Sequence, residues 1–595
     1  MTTPVLISTV HKFISAEKPA LYRLTDEKNG IWTPISYARF QYEVLSLSAT
    51  LIDLGLGEQE TLGVFSENRP EVITTNFATW QARGVLVGIY STASADQVKY
   101  ICDDAKIGIM LVGSQNHYDI ARSLKIANII AVDPSIKFDA DDTTSLTYVQ
   151  AVEKGRNSMS AKVVKERAAA TTQDDLATLL YTSGTTGEPK GAMLTHGNFS
   201  SCMEIHKRRL PYLNDTDSSM CFLPLSHVFE LAWSSFCLYM NMSVYVNQDT
   251  KRVQQSLRET QPTCMCSVPR FWEKVYTVVN EKLTNMGFVS KTLMTRALAV
   301  GRKRNLEYVR KGLKVPAMLE REYQLYNGRL FRKIRSVIGL NNGRLFPTAG
   351  APVGDQLAEF AQSIGLNLVV GYGLSETTAT VTCFPSVDYK IGSVGTVLPE
   401  IQIRIGDNNE VQVKGPTVMK GYYNLPEATA EAFTADGWFR TGDAGRIDSH
   451  GNLYLTDRIK DLFKTSNGKY IAPQAIESRL GRDPLFEQVA VIGDQRKYVT
   501  ALIVPEYSIL RKYAESKKLG HLSNAELAVH PRIIDHVRDR IEKQTADLAA
   551  HEHIKRFALL VEPFSMETGE LTNTLKIRRK VVADRHAELI ESLYD

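Results

Sequence analysis

Two hydrophobic periods alternate along the first part of the chain. Over residues 36–54, Phe40, Val44, Leu47, Leu51 and Leu54 repeat at helical spacing, and Gly55 stands where a helix stop belongs. The pattern then predicts a strand over 61–65, a helix over 70–82, a strand over 84–89, a helix over 95–104 and a strand over 107–112. Strands alternating with helices imply an α/β domain whose mostly parallel sheet is covered on both faces. Residues 153–172, polar and alanine-rich, read as a connector. The apolar run 177–181 reads as a strand, and a helix is expected from about His196.

The texture changes at Ile401. Short strands are expected over 401–405, 410–413 and 453–455, with turns at Asp436-Gly437 and His450-Gly451, which gives a small β-rich subdomain over about 390–456. After Asp457 the chain starts afresh. A hairpin pairs 489–492 with 500–504, and helical stretches follow to Ala550, making a compact α+β unit. The expected division is a large domain over 1–456, a break at 457–461 and a C-terminal domain over 462–595.

Composition narrows the class. A chain of 595 residues is too long for one core, and 43% hydrophobic with 23% charged residues fits a soluble globular protein. A net charge of +4 is too small for a global nucleic-acid binder. Seven cysteines, odd in number and irregular in spacing, suit reduced thiols in a cytoplasmic protein. The opening MTTPVLISTVHKF lacks the basic region and apolar run of a secretory signal, and no apolar stretch approaches the ~18 residues of a membrane span. Charge is locally uneven. Residues 291–335 carry thirteen Lys/Arg against three Asp/Glu, +10, leaving about −6 elsewhere. Leu293, Leu298, Leu306, Val309 and Leu313 are spaced for one helix with an apolar underside. Such a segment is either a solvated helix face or a peripheral contact with anionic membrane.

The densest chemistry lies at 181–191, YTSGTTGEPKG. Thr182, Ser183, Gly184, Thr185, Thr186, Gly187 and Lys190 follow a strand, so backbone N–H groups and hydroxyls can approach phosphate while the lysine supplies charge. The spacing is not that of a Walker A loop. After the apolar run 366–370 come Gly371, Tyr372, Gly373, Ser375 and Glu376: close-approach glycines, an aromatic for a purine face, and a hard oxygen ligand for Mg²⁺. Ser375 alternatively reads as a helix cap. Asp443, in 438–443 (WFRTGD), is expected in a turn as a carboxylate for ribose hydroxyls. Residues 457–461 (DRIKD) mark the break, and Lys576 sits in the threonine-rich 571–576.

Taken in order, these segments resemble the adenylate-forming superfamily of acyl-CoA synthetases, luciferases and adenylation domains, from about Phe13 to the end. FSENRPE at 65–71, LPLSHVFE at 223–230 and VPRFWEKVY at 268–276 resemble the long-chain fatty acyl-CoA synthetase branch. The resemblance implies that ATP activates a carboxylic acid as acyl-AMP, which then passes to the thiol of coenzyme A. It implies catalytic roles for Lys576, Glu376, Ser375 and His227, the last at the mouth of the acyl pocket. Glu376 and Thr182 would hold Mg²⁺. Gly350, Ala351 and Pro352 with Gly371 and Tyr372 would wall the adenine, and Asp443 and Arg458 would clamp the ribose. The C-terminal domain would rotate about Lys460, bringing in Lys464 and the residues Asn467 and Gly468, where asparagine replaces the family's close-approach glycine. A carrier-protein thiol as acceptor, and an aromatic acid as substrate, stay open. A catalytically dead scaffold would have lost Lys576 or Glu376, and both are present. Acyl chain length and oligomeric state are not legible in the residues.

Overall fold

The first long helix forms where the apolar spacing put it, at Tyr37–Asp53. Ser36 caps it, accepting from the Arg39 N–H at 3.2 Å, and Gly55 ends it with φ +97°. Phe40, Val44, Leu47 and Leu51 are all buried. The computed structural model describes residues 3–182, 188–284, 286–458, 463–466, 469–481, 483–546, 548–572 and 576–595.

The first domain's main sheet has seven strands in the spatial order Leu146–Thr147, Asn128–Ala131, Ile109–Val112, Thr61–Phe65, Val85–Ile89, Leu176–Thr182 and Lys190–Thr195. Every neighbouring pair is parallel except the last. Strand pleating sorts its side chains onto two faces: Leu86 joins one core, Val85, Val87 and Ile89 the other. Burial on both faces explains why these strands read as continuous apolar runs.

Three expectations change here. Residues 153–172 are no connector: the helices Tyr148–Arg156 and Ala161–Ala170 occupy most of them, and Val164 and Ala168, one turn apart, are buried. Alanine, lysine and glutamate are strong helix formers, and two small apolar contacts suffice to dock the second helix. The helix expected from about His196 is present, but a strand the sequence did not announce precedes it. The chain returns antiparallel as Lys190–Thr195, with Thr182 opposite Lys190, before the helix His196–Arg209. The basic segment is not one helix either. It comprises Phe288–Arg302, a π turn over Lys303–Tyr308, Ala317–Tyr326 and Arg332–Ile338, with Gly312 at φ +68° between. Of the expected stripe, Leu306 is buried and Leu298 packs against the core, whereas Leu293, Val309 and Leu313 are exposed. The docked face is Met294, Ala297, Val300 and Gly301. Within that face Gly301 marks the closest approach, where an added Cβ would stand 2.1 Å from the Ser363 carbonyl oxygen.

A second sheet pairs Phe346–Thr348 in parallel with Leu368–Tyr372, placing Thr348 opposite Val370. The β-rich part is a four-stranded antiparallel sheet, Gln402–Ile405, Glu410–Lys414, Phe439–Ile447 and Leu453–Arg458. Beyond it, Phe486–Ile492 and Val499–Pro505 form the expected hairpin, and Ile554–Leu559 adds in parallel to its second strand. Ile476, Val491, Ile503 and Val537 belong to a core made entirely of residues from Phe463 onward. All seven cysteines are buried free thiols. No helix among the described residues is long and apolar enough to cross a membrane.

Candidate active site

The parallel strands Phe346–Thr348 and Leu368–Tyr372 end side by side, and the carboxyl end of a parallel pair is where open α/β sheets bind ligands. Leaving the first strand, Gly350 turns with φ +92°, and Gly350, Ala351 and Pro352 are exposed. Gly371 and Tyr372 close the second strand. Gly373 follows, where a Cβ would stand 1.6 Å from the Ala379 carbonyl oxygen, so no larger residue fits. The Tyr372 hydroxyl donates to Asp443 Oδ2 at 2.6 Å. Asp443 is not in a turn, as expected from its sequence, but within the strand Phe439–Ile447, opposite Arg458 in the ladder. A register shift and Gly442 at φ +70° bend that strand. The turn-like composition TGD thus marks a bulge.

Ser375, Glu376 and Thr377 form one 3₁₀ turn. Ser375 lies inside it and does not cap it; instead the Leu374 N–H donates to Thr377 Oγ1 at 2.9 Å. Glu376 is buried, and its Oε1 accepts the Tyr422 hydroxyl at 2.9 Å. Burial and the adjacent carboxylate push the Tyr422 phenol above its ordinary pKa. Lys190 Nζ lies 5.2 Å from the Tyr422 ring centroid. Tyr422 reaches this place because its segment runs against the returning strand: Ala192 bridges Tyr422, and the Tyr423 N–H donates to the Gly191 carbonyl at 2.8 Å. The sequence reading passed over Tyr422, whose only signal was a tyrosine pair after Gly421.

Glu376 Oε2 has no hydrogen-bond partner among the described residues, which suits a metal ligand. Thr182 Oγ1 donates to the Lys190 carbonyl at 3.4 Å, leaving its lone pairs available. No group of three or more His, Cys, Asp or Glu among the described residues could hold a metal ion. One buried carboxylate and one hydroxyl suit an ion that brings most of its own oxygen ligands, as Mg²⁺ does on a polyphosphate. Ser183, Gly184, Thr185, Thr186, Gly187, Lys460, Asn467 and Gly468 lie outside the described residues, and of Arg458 and Lys464 the backbone alone is described.

His227 caps the helix Val228–Tyr239, its Nδ1 accepting the Phe229 N–H at 3.2 Å. The proton of the neutral ring therefore sits on Nε2. Burial, and next the Lys576 ammonium, push the imidazole down to about 4, so it is neutral at pH 7. Lys576, far along the chain, thus lies close enough to His227 to act on its charge. Its loop is tied back on itself: the Lys576 N–H donates to Thr572 Oγ1 at 3.0 Å, and Leu571 bridges Ile577. Ser226, the residue before His227, lines a cavity of about 10 Å³ together with Val64, Val72, Leu86, Leu180, Leu225 and Leu231.

Residues 14–423 match the family described as AMP-binding enzyme, and residues 460–595 match the AMP-binding enzyme C-terminal domain. The chain belongs to the AMP-binding enzyme family. This AMP-binding enzyme is 33% identical over 570 residues to the long-chain-fatty-acid–CoA ligase FadD15 of Mycobacterium bovis, covering 95% of this chain and 93% of that one. It is 29% identical over 600 residues to fatty acyl-CoA synthetase A of Dictyostelium discoideum, covering 96% and 87%. Among solved structures, ATP-bound MatB of Rhodopseudomonas palustris superposes with a TM-score of 0.70 at 21% identity, over 99% of this chain and 100% of that one. The A-PCP didomain of carboxylic acid reductase from Segniliparus rugosus, solved with AMP, gives 0.73 at 20%, over 99% and 83%. These structures share the enzyme's α/β fold.

Proposed function

We propose that this enzyme is an AMP-forming long-chain fatty acid–CoA ligase of the cytoplasm, with residues 1–456 and 462–595 as its two working domains and Lys460 as the hinge between them. The observation that carries the reading is the hydrogen bond from the Tyr372 hydroxyl to Asp443 Oδ2 at 2.6 Å, which sets an aromatic ring beside a carboxylate at the strand ends; the downward push that Lys576 adds at His227 agrees with a lysine near the same place. Joining a carboxylate to a polyphosphate brings two anions together, and a cation at that point offsets their repulsion. The names of the relatives, long-chain-fatty-acid–CoA ligase and fatty acyl-CoA synthetase, support the substrate class.

In the first step the fatty acid's carboxylate oxygen attacks the α-phosphorus of ATP, and the bond to pyrophosphate breaks. Lys576 bridges the carboxylate and the α-phosphate. Ser375 donates to an α-phosphate oxygen, and Thr182–Gly187 with Lys190 hold the departing β- and γ-phosphates. Mg²⁺ supplies charge neutralisation there, and Glu376 and Thr182 are the residues that would hold it. Tyr372, Gly371 and Gly350–Pro352 wall the adenine; Asp443 and Arg458 take the ribose hydroxyls. His227, neutral and with its proton on Nε2, borders the alkyl entrance without adding charge to an apolar passage. In the second step the C-terminal domain turns about Lys460, residues 464–470 replace the lysine loop, and the CoA thiol attacks the acyl carbonyl. AMP leaves and the thiol proton passes to solvent.

Incubation with ATP, Mg²⁺, CoA and acids from C4 to C18 tests the reading. Long-chain acyl-CoA formation is expected. Pyrophosphate release without oleoyl-CoA would point to a carrier-protein thiol as acceptor, and turnover confined to aromatic acids would overturn the fatty-acid assignment. The basic segment is read as a peripheral contact with anionic membrane. Lys291, Lys303, Lys311, Lys314, Arg332 and Lys333 are exposed beside the exposed apolar Phe288, Val289 and Met318. Arg296, Arg302 and Arg304 are instead paired with Glu322, Glu359 and Glu320.

A further inference from the structure

The two stretches FSENRPE and LPLSHVFE meet in space, and what they do there is not explained by substrate contact. The backbone from Phe222 to His227 links the strand Ser218–Cys221 to the helix Val228–Tyr239 and has no regular ladder of its own. Its polar groups are taken up by two side chains from either side. Asn68, buried, donates through Nδ2 to the Leu223 carbonyl at 2.7 Å, and its Oδ1 accepts the Leu225 N–H at 3.0 Å. That pair copies what a neighbouring strand would offer. Glu230, fully buried, accepts the Leu223 N–H on Oε2 at 3.1 Å and the Ser234 hydroxyl on Oε1 at 2.9 Å. The loop then closes on itself, the His227 N–H donating to the Pro224 carbonyl at 3.0 Å. Leu225 and Ser226 line the small cavity. Burying an acid side chain costs several kcal/mol unless donors meet it; Glu230 takes one donor from this loop, the Leu223 N–H, and one from its own helix, the Ser234 hydroxyl, and so ties the loop to the helix.

We propose that Asn68 and Glu230 are positioning residues that clamp the 222–227 loop from both sides and so hold His227 at the alkyl entrance. The inference rests on the entrance role given to His227. It places neither residue in contact with substrate. It also explains why Asn68 and Glu230 occur in separate segments that carry the same resemblance: each supplies half of one clamp.

The experiment is a double-mutant cycle on the full-length enzyme, using Asn68→Asp, Glu230→Gln and His227→Ala, with KM for oleate and for ATP measured by pyrophosphate release. Asn68→Asp keeps the acceptor for Leu225 and loses the donor to Leu223, and Glu230→Gln keeps the shape of its side chain; each variant is assayed well below the melting temperature measured for it, so that loss of fold and loss of position are told apart. Asn68→Asp is expected to raise the oleate KM about 10-fold while the ATP KM stays within about 2-fold. In the His227→Ala background the same change is expected to have no further effect, since the residue it positions is gone. Asn68→Ser, which restores a short donor, should recover part of the loss. Full additivity of Asn68→Asp with His227→Ala overturns the clamp while leaving the entrance role intact. Equal changes in both KM values overturn it as well. A His227→Ala enzyme with unchanged oleate KM removes the entrance role and the clamp with it.

Discussion

At the scale of single residues, burial keeps the His227 ring neutral, and the Lys576 ammonium, a like charge, pushes it further the same way. Lys576→Ala is expected to slow acyl-AMP formation by about 10²- to 10³-fold, because the charge acts at the reacting centre. Thioester formation from supplied acyl-AMP should largely survive; equal loss of both half-reactions, measured separately, would refute the division of labour. Tyr422 fixes Glu376 through one hydrogen bond. Tyr422→Phe should raise the Mg²⁺ concentration for half-maximal pyrophosphate exchange by about 10-fold, with the rate at saturating Mg²⁺ near that of the parent. Manganese binding followed by electron paramagnetic resonance reads the same change without turnover. Glu376 and Asp443 stand out in the sequence because each sits in a short segment with its own composition, and Lys576 stands out through the resemblance of its segment to the family. Tyr422 does not, since nothing local distinguishes a tyrosine that meets a carboxylate 46 positions away.

At the scale of elements, a helix face is legible where large apolar residues mark the contact and less so where alanine and glycine share it. The helix Tyr37–Asp53 buries the leucines its period announced. The helix Phe288–Arg302 buries Ala297 and Gly301 and leaves Leu293 exposed. Close approach decides this, since a leucine cannot enter a gap that already rejects a single Cβ. Gly301→Val should therefore lower the stability of the large domain by about 1–3 kcal/mol or more, seen as a lower urea midpoint with unchanged slope. An unchanged midpoint would mean that the helix is free to shift. The strand Lys190–Thr195 was likewise missed, because its alternation is short and its pairing partner, not its own sequence, holds it extended.

At the scale of the whole molecule, buried histidines make stability depend on acidity. His196 is fully buried and pushed down to about 4 by burial. The unfolded chain takes up this proton near pH 6.5, whereas the folded protein refuses it until about pH 4. Stability should thus fall as pH drops from about 6.5 towards 4, by up to about 3 kcal/mol from this group. Melting temperatures taken through that window should slope less in His196→Asn. The basic segment offers a second test. Sedimentation with liposomes should require anionic lipid and weaken with salt. Equal binding to neutral vesicles would assign the contact to Phe288 and Val289 alone.

The order of segments along the chain was enough to identify the family and the α/β class, because phosphate loops, close-approach glycines and ribose carboxylates each need a particular local composition. Packing settled the rest. Whether Leu293 or Gly301 is buried depends on how near another helix lies, and whether Asp443 stands in a turn or a bulged strand depends on the strands beside it. That Asn68 and Glu230 both bond to the loop that carries His227, or that Lys576 bears on His227, follows from chain segments meeting in space. Local composition carries no record of such distances, since the contact energy belongs to the pair and not to either residue.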